Sequence, residues 1–169
     1  MDKDKQREHK VIILAHKSLI VYVVTALMIT TSMIYFYLAY EDYQQLLHSS
    51  SASADDIQST RNEMIFFLVV AISYIPIAIW MLKVKHSSKI PYIIAIVGSA
   101  GLIVFYILTR VIDIPSIGLQ TDVGTTDIAT KIIQGAIVAI SSFLVVSIIL
   151  RRKRLGNSIV KRKDSKGIL

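Results

Sequence analysis

Four stretches of this chain run for about twenty residues without a charged side chain: Ser18–Tyr40, Met64–Leu82, Ile90–Thr109 and Ile132–Leu150. A helix rises about 1.5 Å per residue, so each could cross a hydrocarbon layer of roughly 30 Å. Such blocks cannot be covered by the polar remainder of a small soluble domain. They occupy about half of the chain, and little is left for a second domain. The expected class is an all-α integral membrane protein, four transmembrane helices in an antiparallel bundle. The spans fall at about 18–40, 62–82, 90–110 and 128–150, giving a transmembrane domain over 1–150 and a basic tail over 151–169.

Charge gives the direction of the spans. Of nineteen Lys and Arg residues, sixteen lie in three segments: Lys3 to Lys17, Lys83 to Lys89, and the tail after Leu150. Only Arg61, Arg110 and Lys131 fall in or beside the other two connections, which hold eight carboxylates, from Glu41 to Asp127. Short basic loops stay cytoplasmic. Both termini are therefore expected inside, with 41–61 and 110–131 outside, in the cell membrane. Ser18–Tyr40 is longer than the apolar part of a cleaved signal, and Ala52-Ser53-Ala54 lies far beyond its end, so a retained first span is expected. Tyr35, Tyr37, Tyr40 and Tyr43 mark its outer edge, Trp80 and Tyr92 the inner turn, and Tyr106 the outer end of span three. Tyr74, near mid-span, is expected to pack between helices.

Local signals set the ends and faces of the helices. The first helix can begin before Ser18, with His16 and Lys17 at the interface. Thr60 followed by Glu63 has the spacing of a capping box and would start span two. The interval 41–60 then reads as a solvated connection. Pro76 is expected to kink span two, with Ser73 bonding the backbone nearby. The short Lys83–Lys89 connection makes spans two and three a hairpin, and Pro91 suits the first turn of span three. Gly98, Ser99, Ala100 and Gly101, facing Gly135 and Ala139, would let spans three and four approach closely. The two hairpins show no internal repeat of the kind inverted-repeat transporters carry.

What the spans lack narrows the function. The chain has no Cys, which removes disulfides, thiolate metal sites and CxxC redox chemistry. No acid, base or His lies deep in a span, against expectation for a proton-coupled pump or exporter. His9, His16, His48 and His86 are not placed to hold a haem between spans. No phosphate-binding glycine loop, nucleophile elbow or HExxH occurs. No cofactor, metal or catalytic residue is expected, and no nucleic-acid partner.

The polar texture that remains is at the outer mouth. The segment 113–127 carries Asp113, Asp122 and Asp127 without the spacing of an EF-hand. Turns at Pro115, Gly118 and Gly124, and a cap at Thr125 or Thr126, account for most of it. Asp127 can pair with Lys131 four residues on. Asp122, Asp127, Lys131 and Gln134, with Thr130 among them, form the candidate contact for a partner or ligand. On the inner side, Arg151, Arg152, Lys153 and Arg154 are placed to meet anionic lipid head groups.

The stretch from Ile114 to Gly135, IPSIGLQTDVGTTDIATKIIQG, resembles a loop-and-helix segment of small uncharacterised four-span membrane proteins of ammonia-oxidising archaea. The resemblance covers about 22 residues and implies the same fold and an archaeal cell membrane. It transfers no catalytic residues. The expected function is a non-enzymatic structural or accessory subunit that binds another membrane protein or itself. The alternative is a channel or facilitator for a neutral solute, lined by Thr25, Ser73, Ser99, Ser141 and Ser142.

Overall fold

A computed structural model describes the backbone of residues 3–48, 53–85, 87–112 and 124–164, with side chains from Ser18 to Lys153 apart from Asp55 and Arg152. Four helices account for nearly all of it: α1 (Lys3–His48), α2 (Ala54–Val84), α3 (Ile90–Val111) and α4 (Thr125–Asp164). Each contains a span long and apolar enough to cross a membrane, Ser18–His48, Asp56–Val84, Ile90–Val111 and Thr125–Arg151.

Side-chain pairs fix the arrangement. Tyr35 meets Phe67, and Ser32 meets Ala71. Phe66 meets Phe105, and Tyr74 meets Ser99. Arg110 meets Asp127, and Tyr35 meets Gln134. From α1 to α2, from α2 to α3 and, with Tyr106 beside Lys131, from α3 to α4, rising numbers on one helix meet falling numbers on the next, so the bundle is up-down-up-down. The α1–α2 packing is the most extensive and α2–α3 the least.

Each helix buries one stripe. On α4 the stripe is Thr130, Gln134, Ile137, Ser141, Leu144 and Ile148. On α1 it is Val21, Val24, Thr25, Met28, Thr31, Ser32, Tyr35 and Ala39, and on α2 it is Ala71, Tyr74, Ala78 and Met81. These spacings follow the 3.6-residue period. The stripes contain hydroxyls, and a buried polar group needs a partner. Thr25 and Thr31 donate to the carbonyls of Val21 and Leu27, both at 2.9 Å. Ser32 donates across to the Ala71 carbonyl at 2.8 Å and ties α1 to α2. Between helices that cross lipid, whose tails are as apolar as Leu, such bonds and close packing supply the association.

Several expectations change here. Much of the interval 41–60 is helical: α1 runs on to His48, and α2 begins at Ala54 behind the N-cap Ser53, whose Oγ accepts from the Asp56 N–H at 3.2 Å. Thr60 is therefore inside the helix, donating to the Asp56 carbonyl at 3.0 Å, and it does not cap span two. Ser53 takes that role because it lies where the chain is still extended. Pro76 sits within α2, which continues through it, and its ring is on an exposed face. Ser73 does bond the backbone, at the Val69 carbonyl, 2.7 Å.

The small residues also fall on an unexpected face. Gly98, Gly101, Gly135 and Ala139 are exposed, and nothing lies within 4 Å of a Cβ built on any of the three glycines. The close approach in α3 is made by Ala95 and Ser99, which are buried. Gly98 is one residue, about 100°, away from Ser99 around the helix. Spans three and four are neighbours, but not through those glycines.

At the other end, Lys85 closes α2 with φ of 41°, its N–H donating to the Met81 carbonyl at 2.8 Å. Tyr92, fully buried, donates to the Lys85 carbonyl at 2.5 Å and braces this turn. The Ile90 N–H is taken by Ser88 Oγ at 3.2 Å. Helix α4 continues past the span to Asp164, so the basic tail begins as helix. The antiparallel order places this extension at the same end as Lys3–Lys17 of α1.

Candidate binding site at one end of the bundle

The end of the bundle formed by the last turns of α1, the first turns of α2, the last turn of α3 and the first turns of α4 gathers an unusual density of polar groups. Helix α4 starts at Thr125, with the Gly124 carbonyl accepting from the Ile128 N–H at 3.2 Å. Neither Thr125 nor Thr126 is therefore the cap. Asp127 lies in the first turn, where a carboxylate suits the helix dipole. Thr130, Lys131 and Gln134 follow on the face toward α1 and α3.

Asp127 does not pair with Lys131. Its Oδ2 receives Arg110 Nη2 from α3 at 2.9 Å, a partly buried ion pair. The guanidinium also stacks on Tyr106, 3.8 Å from the ring centroid. A planar cation that can both stack and bond a carboxylate fills this position better than an ammonium four residues along. Lys131 turns inward instead. Its Nζ donates to the Tyr35 hydroxyl and to Gln134 Oε1, each at 3.3 Å, and lies 4.7 Å from the Tyr106 centroid. Gln134 Nε2 donates to Tyr35 at 2.9 Å. Gln134 is fully buried and Tyr35 is 2% exposed, so these bonds are shielded from solvent and lipid alike. In low dielectric such bonds are strong, and leaving one unmade is costly.

Beside Lys131 lies a cavity of about 50 Å³. Tyr35, Phe66, Phe67, Phe105 and Tyr106 give it aromatic walls, and Glu63, Asp127, Thr109, Thr130 and Lys131 line it as well. The two threonine hydroxyls donate to backbone carbonyls, Thr109 to Tyr106 and Thr130 to Thr126. All four helices contribute to this cavity.

Three of the four residues marked as a contact region, Asp127, Lys131 and Gln134, thus come together. Asp122, with the rest of 113–123, lies outside the described residues, as do Ser49–Ala52 and His86. On the basic tail, Arg151 and Lys153 are exposed, while the side chains of Arg152 and Arg154 lie outside the described set. Sequence reasoning missed Tyr35, Glu63 and Arg110 as members, and gave Tyr106 only an interfacial role. Tyr37, Tyr40 and Tyr43 are exposed, whereas Tyr35 points inward. Its spacing of seven from Met28 and four from Thr31, on the stripe of α1 hydroxyls, was a usable signal. Among the described residues no group of three His, Cys, Asp or Glu is placed to hold a metal ion.

Fold and site together define an all-α bundle of four potentially membrane-crossing helices, with a polar, aromatic-walled cavity at one end. No family model, curated protein or solved structure matches the chain.

Proposed function

We propose that this chain is a non-enzymatic multi-pass protein of the cell membrane, with both termini cytoplasmic, that serves as an accessory or structural subunit for another membrane protein. The observation that carries this reading is the cluster of Tyr35, Arg110, Asp127, Lys131 and Gln134 around a cavity at the end predicted to face outward. Polar groups concentrated at one mouth of an otherwise apolar bundle suit recognition there. The opposite end, with exposed Arg151 and Lys153, suits anionic head groups of the inner leaflet. The resemblance of Ile114–Gly135 to small archaeal membrane proteins is compatible with the same setting.

A solute facilitator is the second reading. One observation favours it: the Ser141 hydroxyl is buried without a hydrogen-bond partner among the described residues. Its proposed companions are arranged less favourably. Ser73 is on an exposed face, Thr25 bonds its own helix, and Ser99 is engaged by Tyr74 at 2.9 Å. Val24, Met28, Ile137 and Leu144 fill the bundle between them.

Purification in mild detergent followed by mass spectrometry separates the two. A defined subunit that co-purifies with the native chain and is lost from Asp127→Lys supports the accessory reading. A lone chain whose reconstitution speeds solute flux into liposomes overturns it.

A further inference from the structure

Two groups at this cavity, Lys131 and Tyr35, each leave a hydrogen-bond donor unspent, beside the carboxylates of Glu63 and Asp127. The Tyr35 oxygen accepts from both Gln134 and Lys131, so its own hydrogen is not used in either bond. No acceptor for it occurs among the described residues. The Lys131 ammonium carries three donors. Two go to the neutral oxygens of Tyr35 and Gln134, and no carboxylate lies within ion-pair distance of Lys131 among the described residues. Asp127 is held by Arg110. A half-buried ammonium with only neutral acceptors is poorly compensated, and a buried charge is ordinarily paired.

We propose that this cavity binds one small monovalent anionic group, of halide or carboxylate size, between the Lys131 ammonium and the Tyr35 hydroxyl. The proposal names the ligand chemistry of the contact region described above and rests on that region being a recognition site. Size limits the choice: about 50 Å³ accepts a halide, formate or a single carboxylate group, whereas drug-sized ligands occupy at least ~300 Å³. Charge limits it further. Glu63 and Asp127 line the same cavity, so a second negative charge would meet repulsion. Sulfate and phosphate are disfavoured by that charge. The anion comes either from solution or from an Asp or Glu side chain of the partner subunit.

The full chain in mild detergent, in a zwitterionic buffer without added salt, is titrated with sodium chloride, sodium formate or sodium sulfate. Thermal unfolding and the chloride-35 NMR line width report binding. Chloride and formate should act saturably, and sulfate should not. Tyr35→Phe, which removes only the hydroxyl, should weaken binding about tenfold, the worth of one hydrogen bond to a charged group. Lys131→Met should abolish it, and Lys85→Gln, at the other end, should leave it unchanged. Circular dichroism checks that each variant is folded, and Tyr35→Phe decides if Lys131→Met is not. Chloride that displaces a co-purifying subunit assigns the group to that subunit's carboxylate, and chloride bound with the subunit retained assigns it to a free ion. Saturation absent in the native chain, or equal in the native chain and both variants, overturns the proposal. A subunit that still co-purifies then leaves the accessory reading standing.

Discussion

Removal of the Tyr35 hydroxyl tests how firmly the cavity end of the bundle is knotted. Tyr35→Phe keeps the ring and its contact with Phe67 at 5.7 Å, but withdraws the acceptor used by Gln134 and Lys131. Gln134 has no access to water, so its amide hydrogen is left unpaired in a buried site. An orphaned buried group costs about 1–3 kcal/mol, while membrane proteins average only about 0.6 kcal/mol per interhelical hydrogen bond because unfolded helices also find partners. With two donors affected, we expect a loss of about 2 kcal/mol. Gln134→Leu should cost a similar amount, since it removes the shorter of the two bonds to Tyr35 and takes one acceptor from Lys131. The double variant removes donor and acceptor together, so its cost should fall short of the sum by about 1 kcal/mol. The assay is reversible denaturation in mixed micelles, followed by Trp80 fluorescence and circular dichroism. Strict additivity, or a cost below about 0.3 kcal/mol for both single changes, would refute the network.

Three further outcomes follow from the packing. Gly98→Ala and Gly101→Ala should each raise stability, by up to about 1 kcal/mol, because a Cβ meets open space and the helix gains propensity; a loss in the same denaturation assay would restore the glycines as a packing face. Ser99→Leu should cost about 1–3 kcal/mol by overfilling the α2–α3 contact and freeing Tyr74, read as a lower unfolding midpoint. Lys85→Gly should stabilise by about 1 kcal/mol, because φ of 41° suits a residue without Cβ, and an unchanged midpoint would contradict that.

The number of helices and their alternation were readable because long uncharged runs separated by short connections leave few other solutions. Faces were harder to read. In a lipid-facing helix nearly every position is apolar, so apolar periodicity does not mark the buried side. The glycines at 98, 101 and 135 drew attention as close-approach residues, yet the inward side was marked by Ser99 on α3 and by Thr130, Gln134 and Ser141 on α4. Polar residues inside a span were the better guide, since lipid offers them no partner. Helix ends were misjudged where a nearer cap competed, as Ser53 did with Thr60. Lys131 was recognised as part of a polar cluster, but its partner was not. The sequence offered Asp127 four residues away, whereas Arg110, seventeen residues before Asp127, took that carboxylate in space. Pairings between helices depend on the bundle and leave no local pattern.

The outward position of the cavity is tested most directly by thiol labelling, for which a chain without cysteine is well suited. Single Ala54→Cys and Gly124→Cys variants sit at the cavity end, and Ser87→Cys at the opposite turn. With a membrane-impermeant maleimide on intact cells, the first two should label at once and Ser87→Cys only after permeabilisation. Labelling of Ser87→Cys in intact cells, with the other two protected, would turn the bundle over and place the Lys131 cavity on the cytoplasmic side.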